Sequence, residues 1–99
     1  MSIAELKQVL LEPCRKHSVK RLTVFGSVAR GSDSNGSDLD LLVQFEEMPA
    51  SQHASHYFDL LHELEDATGR PVDLLTSGSV TRSSLKRSIS EEGILVYEA

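Results

Sequence analysis

Apolar residues recur at two different spacings along this chain, and the changes between them mark out its elements. Ile3, Leu6, Val9 and Leu10 follow helical spacing. Ser2 and Glu5 form an S-x-x-E capping box at their start, so a first helix is predicted over residues 3–16. Residues 20–25 (KRLTVF) are β-branched and aromatic enough to read as a strand, which Gly26 ends. The next stretch, GSVARGSDSNGSD, is rich in Gly, Ser, Asp and Asn, and is expected to be one helical turn followed by a loop. Residues 39–45 (LDLLVQF) are nearly all apolar, as a central strand requires. Residues 48–51, with Pro49, read as a connection. Ala54, Tyr57, Phe58, Leu61 and Leu64 then mark the core stripe of a second long helix, stopped by Gly69 and Pro71. Residues 72–76 (VDLLT) give a third strand. Residues 81–92 give a shorter helix with Leu85 and Ile89 on one side, capped by Gly93, and 94–97 a last short strand. The order α-β-turn-β-α-β-α-β predicts an α/β (α+β) sandwich, a small mixed sheet packed with helices.

A length of 99 residues fits one domain spanning 1–99, with no room for a second core. The formal net charge of −5 argues against nucleic acid as the main ligand, because duplex binding rests on clustered Lys and Arg. Cys14 is the only cysteine, which excludes an internal disulfide, and it reads as a small, partly buried apolar residue. No apolar run reaches membrane-span length, and the N-terminus lacks the layout of a signal peptide. A cytoplasmic location without membrane contact is therefore expected.

Chemistry concentrates in three places. Gly26-Ser27 stands where a strand gives way to a helical turn. A glycine there lets backbone approach a phosphate, the N–H groups of the turn attract anions, and the Ser27 hydroxyl adds a donor. Asp38 and Asp40 flank Leu39 at a strand start, so both carboxylates share one face. Two adjacent carboxylates repel, and a divalent cation with a preference for oxygen ligands removes that repulsion. Asp73 is an isolated charge within VDLL, where a buried carboxylate requires a metal or a partner such as Arg70 or Arg21. Metal beside a phosphate cradle is the requirement of nucleotidyl transfer.

Blander roles compete at each position. Asp38 and Asp40 suit a turn cap, and Ser27 suits a helix N-cap. Arg30 serves equally as a phosphate contact or a surface residue. Arg82, Lys86 and Arg87 read as a solvated basic face before an acceptor patch, and Asp33 as turn chemistry. His53 and His56 share a helix face without a third zinc ligand, and Tyr57 and Phe58 fall on the core stripe.

Gly26-Ser27, ten residues, then Asp38-Leu39-Asp40 resembles the signature of the polymerase-beta-like nucleotidyltransferases. The stretch GSVARGSDSNGSDLDLLV, with VDLL and GILVYE further on, is similar to the minimal nucleotidyltransferase (MNT) subgroup over almost the whole chain. The resemblance implies the polymerase-beta-like fold, ATP or another NTP as donor, and Mg2+ or Mn2+ held by Asp38, Asp40 and Asp73. Gly26, Ser27 and Arg30 are then the nucleotide-binding candidates. It also implies a partner, the helical HEPN toxin of toxin–antitoxin pairs. Transfer of AMP to a tyrosine of such a toxin is the leading expectation. Masking of the toxin by binding alone and transfer to a small molecule are its rivals.

Overall fold

The computed structural model describes residues 2–33 and 37–99. The part of the expected loop at 34–36 lies outside the described residues. Helix α1 (Ile3–Lys16) leads into strand β1 (Val19–Phe25) and a short helix α2 (Gly26–Arg30). Strand β2 (Leu39–Phe45), helix α3 (Ala50–Thr68) and strand β3 (Val72–Thr76) follow. A 3-10 turn (Ser77–Ser79), helix α4 (Ser83–Glu92) and strand β4 (Ile94–Glu98) complete the order.

Local chemistry explains the starts and stops. The Glu5 N–H donates to Ser2 Oγ at 3.1 Å, and Ser2 Oγ donates to Glu5 Oε1 at 3.0 Å, so the S-x-x-E pair caps α1. Gly69 ends α3 in the left-handed conformation, and its N–H bonds the Glu65 carbonyl. Gly93 caps α4 as expected, its N–H donating to the Ile89 carbonyl at 2.8 Å, although its backbone is extended at φ −65° and not left-handed. Helix α3 starts at Ala50, inside the expected connection, because Pro49 serves as its N-cap and Pro suits a helix entry. Helix α4 starts two residues later than the pattern suggests.

The sheet order is β3-β2-β1-β4. Strands β1–β2 and β1–β4 pair antiparallel, and β2–β3 pair parallel, which makes the sheet mixed as expected. Helix α3 supplies the crossover that a parallel pair demands. Leu39, Leu41 and Val43 are at most 1% exposed and face Leu6 and Leu10 of α1 and Leu60 and Leu64 of α3 in one core. Alternation therefore turns Asp40 and Leu42 to the opposite face, where both are half-buried.

Two core expectations are corrected. Phe58 is 55% exposed and Ala54 is exposed, whereas Leu60 is fully buried. Each residue turns a helix by about 100°, so Tyr57, Leu60, Leu61 and Leu64 hold the stripe and Phe58 swings past its edge. Cys14 is fully buried rather than partly so, and burial pushes its thiol pKa up to about 12. The thiol is thus a core group and not a nucleophile. No described helix is long and apolar enough to cross a membrane.

Candidate active site at the β1–α2 turn and the starts of β2 and β3

Backbone register brings the three sequence-predicted carboxylates to one end of the sheet. Asp40 is the cross-strand partner of Asp73 on β3 and of Phe25 on β1. Asp38 precedes Asp40 by two residues, and Gly26 follows Phe25 directly. Asp40 thus sits between a neighbouring acid on one side and the α2 turn on the other.

The electrostatics agree with the geometry. Burial, then the charges of Asp73 and Asp38, raise the Asp40 carboxyl pKa above the ordinary range, and Arg30 opposes the rise. Asp73 also acts on Tyr57, whose pKa is raised first by burial and then by that charge. The Tyr57 hydroxyl donates to the Leu74 carbonyl at 2.6 Å, which ties α3 to β3 beside Asp73.

Gly26 is required by two independent constraints. Its φ is +71°, in the left-handed region that favours glycine. A Cβ there would also overlap the Asp40 carboxylate. The turn and the carboxylate are therefore packed so closely that only hydrogen fits between them.

Asp73 differs from its expected environment. It is exposed, because β3 is an edge strand, so burial does not oblige it to find a partner. The ion pairs proposed for it are not formed. Arg70 bonds Asp33 at 2.8 Å and Arg21 bonds Glu98 at 2.7 Å. Asp38 is exposed as well. Among the described residues, no three His, Cys, Asp or Glu side chains are gathered into a ready-made metal site. The strands bring the carboxylates to one place, and the exposed side chains retain freedom to adjust.

Ser27 lies inside α2, whose N-cap is Phe25 without a side-chain cap bond. The N-cap role is therefore not the one Ser27 plays. Its carbonyl accepts from the Ser32 N–H at 2.9 Å, and its hydroxyl has no partner among the described residues. Ser27→Ala is accordingly expected to change stability by less than ~0.5 kcal/mol. The same change should raise KM for the nucleotide or lower kcat if the hydroxyl meets a phosphate. Melting and steady-state kinetics on one preparation check both; a large stability loss with normal kinetics would contradict the assignment.

Arg30 is directed at α4, where its Nη1 donates to Glu92 Oε2 at 3.1 Å. Both side chains are about half exposed, a type of pair that contributes little and opens readily. Arg82, Lys86 and Arg87 are exposed on and beside α4. His53 packs edge-on to Phe45 and His56 edge-on to His17, so the two histidines serve as packing groups. Sequence reasoning missed the Asp33–Arg70 and Arg30–Glu92 pairs, and also His17, which is 6% exposed and bonds Glu63 at 2.7 Å. These partners lie 37 to 62 positions apart, and no local pattern announces them.

Comparison with known proteins agrees with this arrangement. The nucleotidyltransferase domain family matches residues 6–96. A protein of Methanocaldococcus jannaschii, named provisionally as a protein adenylyltransferase, is 35% identical over 99 residues, covering 96% of this chain and 98% of its own. A solved structure described provisionally as a minimal nucleotidyltransferase is 34% identical, covers 95% of both chains and superposes with a TM-score of 0.76. The complex of a tri-AMPylated Shewanella oneidensis HEPN toxin with its MNT antitoxin contains a chain of the same fold, with a TM-score of 0.68 at 16% identity over 98% of this chain and 73% of that one. With the family's match running through β1, α2, β2 and β3, this chain belongs to the nucleotidyltransferase domain family.

Proposed function

We propose that this chain is a divalent-metal-dependent nucleotidyltransferase that moves AMP from ATP to a tyrosine hydroxyl of a HEPN-type toxin, and so acts as an antitoxin. The observation that carries the reading is Asp40, held in register with Asp73, two residues from Asp38, and packed against the Gly26 turn. The donor set is all carboxylate oxygen, which suits Mg2+ or Mn2+. The raised Asp40 pKa marks negative charge that a cation would neutralise. Asp38, Asp40 and Asp73 would hold the ion, which when bound supplies charge neutralisation at the reacting phosphate.

The chain's own residues do the rest. The first-turn N–H groups of α2 and the Ser27 hydroxyl offer donors to phosphate oxygens. Arg30, released from Glu92, is a further phosphate contact. In transfer, the acceptor oxygen bonds the α-phosphorus as the bond to the β-phosphate bridge breaks, and pyrophosphate leaves. Asp73 would take the hydroxyl proton, a role that its exposure on an edge strand supports.

A partner protein as acceptor is supported by the exposure of Asp38 and Asp73 and by the net charge of −5, which favours encounter with a basic partner. The relative's adenylyltransferase name and the AMPylated HEPN complex point the same way. Arg82, Lys86 and Arg87 offer a docking edge. A masking-only antitoxin is the second reading, favoured by the ungathered carboxylates. The experiment mixes the chain with a HEPN toxin, α-labelled ATP and Mg2+, and weighs the toxin. One adenylyl mass on a toxin tyrosine, abolished by EDTA, is the expected result. A tight complex with no added mass, and neutralisation unchanged by Asp38→Asn, would leave masking in its place.

A further inference from the structure

We propose that Glu92 sets the affinity of this chain for a nucleoside triphosphate: its carboxylate is a counter-ion for Arg30 that the phosphates must displace. This rests on the nucleotidyl-transfer reading above, in which Arg30 meets a phosphate.

Arg30 stands beside the carboxylates. Gly26 and Arg30 are four residues apart on α2, so they share a helix face one turn apart. Gly26 is the residue packed against the Asp40 carboxylate. The Asp40 carboxyl accordingly feels the Arg30 charge, which opposes the rise in its pKa. Yet among the described residues the ion pair of Arg30 is with Glu92 on α4, and with none of the three aspartates.

Glu92 is poorly placed for α4 alone. It is the last residue of that helix, Glu91 precedes it, and the last turn holds no basic residue. A carboxylate there opposes the helix dipole, whereas Arg30 closes α2, where a cation is favoured. The end of α4 is also fixed in place. A Cβ at Gly93 would overlap the Ile89 carbonyl and press on the Thr23 methyl group. Glu92 is thus presented to Arg30 by a helix end seated on β1, the strand that runs into Gly26.

The pair suits exchange. It is one bond from Nη1, at 3.1 Å, and not the two-bond fork that makes Arg–carboxylate pairs tight. Both side chains are about half exposed, so no buried charge is stranded when they part. A phosphate oxygen offers the guanidinium the same kind of ionic bond. Nucleotide binding then includes the loss of the Glu92 bond, and removing that carboxylate removes the loss.

The test is calorimetric titration of the non-hydrolysable ATP analogue AMP-PNP, at saturating Mg2+, into the unaltered chain, Glu92→Gln, Arg30→Gln and the double variant. Melting curves are recorded alongside. Glu92→Gln keeps the side-chain size and lightens the charge at the α4 C-terminus, so the fold should hold. AMP-PNP is expected to bind this variant about 2- to 5-fold more tightly, the strength of one exposed ion pair expressed as an equilibrium ratio. Glu92→Ala, which takes the carboxylate away altogether, should show the same gain. Arg30→Gln should bind more weakly than the unaltered chain, and adding Glu92→Gln to it should change nothing further, because no guanidinium is left to release. Unchanged or weaker binding by Glu92→Gln overturns the inference and leaves the proposed function standing. An equal gain in the Arg30→Gln background does the same, since it marks a general loss of repulsion and not competition for Arg30. An unaltered chain that binds no AMP-PNP overturns both.

Discussion

Asp40→Asn is expected to reduce adenylyl transfer by at least ~100-fold, the usual consequence of losing a catalytic electrostatic group. The side chain keeps its size and its place between β1 and β3, so the fold should survive. Without added metal, the variant should melt higher than the unaltered protein at neutral pH. The reason is linkage. The folded protein holds Asp40's pKa above the ordinary value through burial and the charges of Asp73 and Asp38. In the window between the unfolded and folded pKa values the native state binds more protons, so stability falls as pH rises through it. Above the window the full penalty applies, and Asn removes it. As pH drops toward the unfolded value of about 4, the advantage of Asn should vanish. Labelled-ATP transfer assays and melting curves across pH 4–8 (roughly the span between the carboxylate and neutral ranges) check both halves. Full activity, or a variant less stable than wild type at neutral pH, would refute the charge-repulsion account.

The same residue shows how much of this protein its sequence makes legible. The alternation in LDLLVQF is enough to separate Asp40 from Leu39 and Leu41, because a strand has a period of two. Helix α1 and strands β2 and β3 fall on their expected bounds for similar reasons: caps, glycines and β-branched runs act locally. The acids were recognisable as a set because their spacing relates to one strand, and because VDLL places a charge where hydrophobics belong. Their actual environments were less accessible. Asp73 looked buried from its neighbours, yet strand order puts it on an edge, and order is settled by pairings between distant segments. Phe58 looked buried because an aromatic in an apolar stripe usually is, but a single 100° step carries it off the stripe. Asp33 looked like turn chemistry because its partner lies 37 positions away. What remained hidden is thus the part of the fold that depends on tertiary placement rather than on local pattern.

Gly26→Ala provides the sharpest separation between backbone strain and site chemistry. Gly26 and Gly31 both adopt left-handed φ, +71° and +74°, at the two ends of α2. An alanine at either position should cost about 1–2 kcal/mol from that conformation alone. Beyond this they differ. Nothing lies within 4 Å of a Cβ at Gly31, whereas a Cβ at Gly26 would overlap the Asp40 carboxylate. Gly31→Ala should therefore melt lower but transfer adenylate at close to the normal rate. Gly26→Ala should melt lower still and lose transfer activity by ~100-fold, because Asp40 must leave the position at which it shares charge with Asp38 and Asp73. The steric part is measurable separately from the strain. In an Asp40→Gly background the obstructing carboxylate is gone, so the stability cost of Gly26→Ala should shrink to that of Gly31→Ala. A double-mutant cycle on melting free energies reads that coupling directly. Zero coupling between positions 26 and 40, or a fully active Gly26→Ala, would mean that the turn and the carboxylate do not form one site.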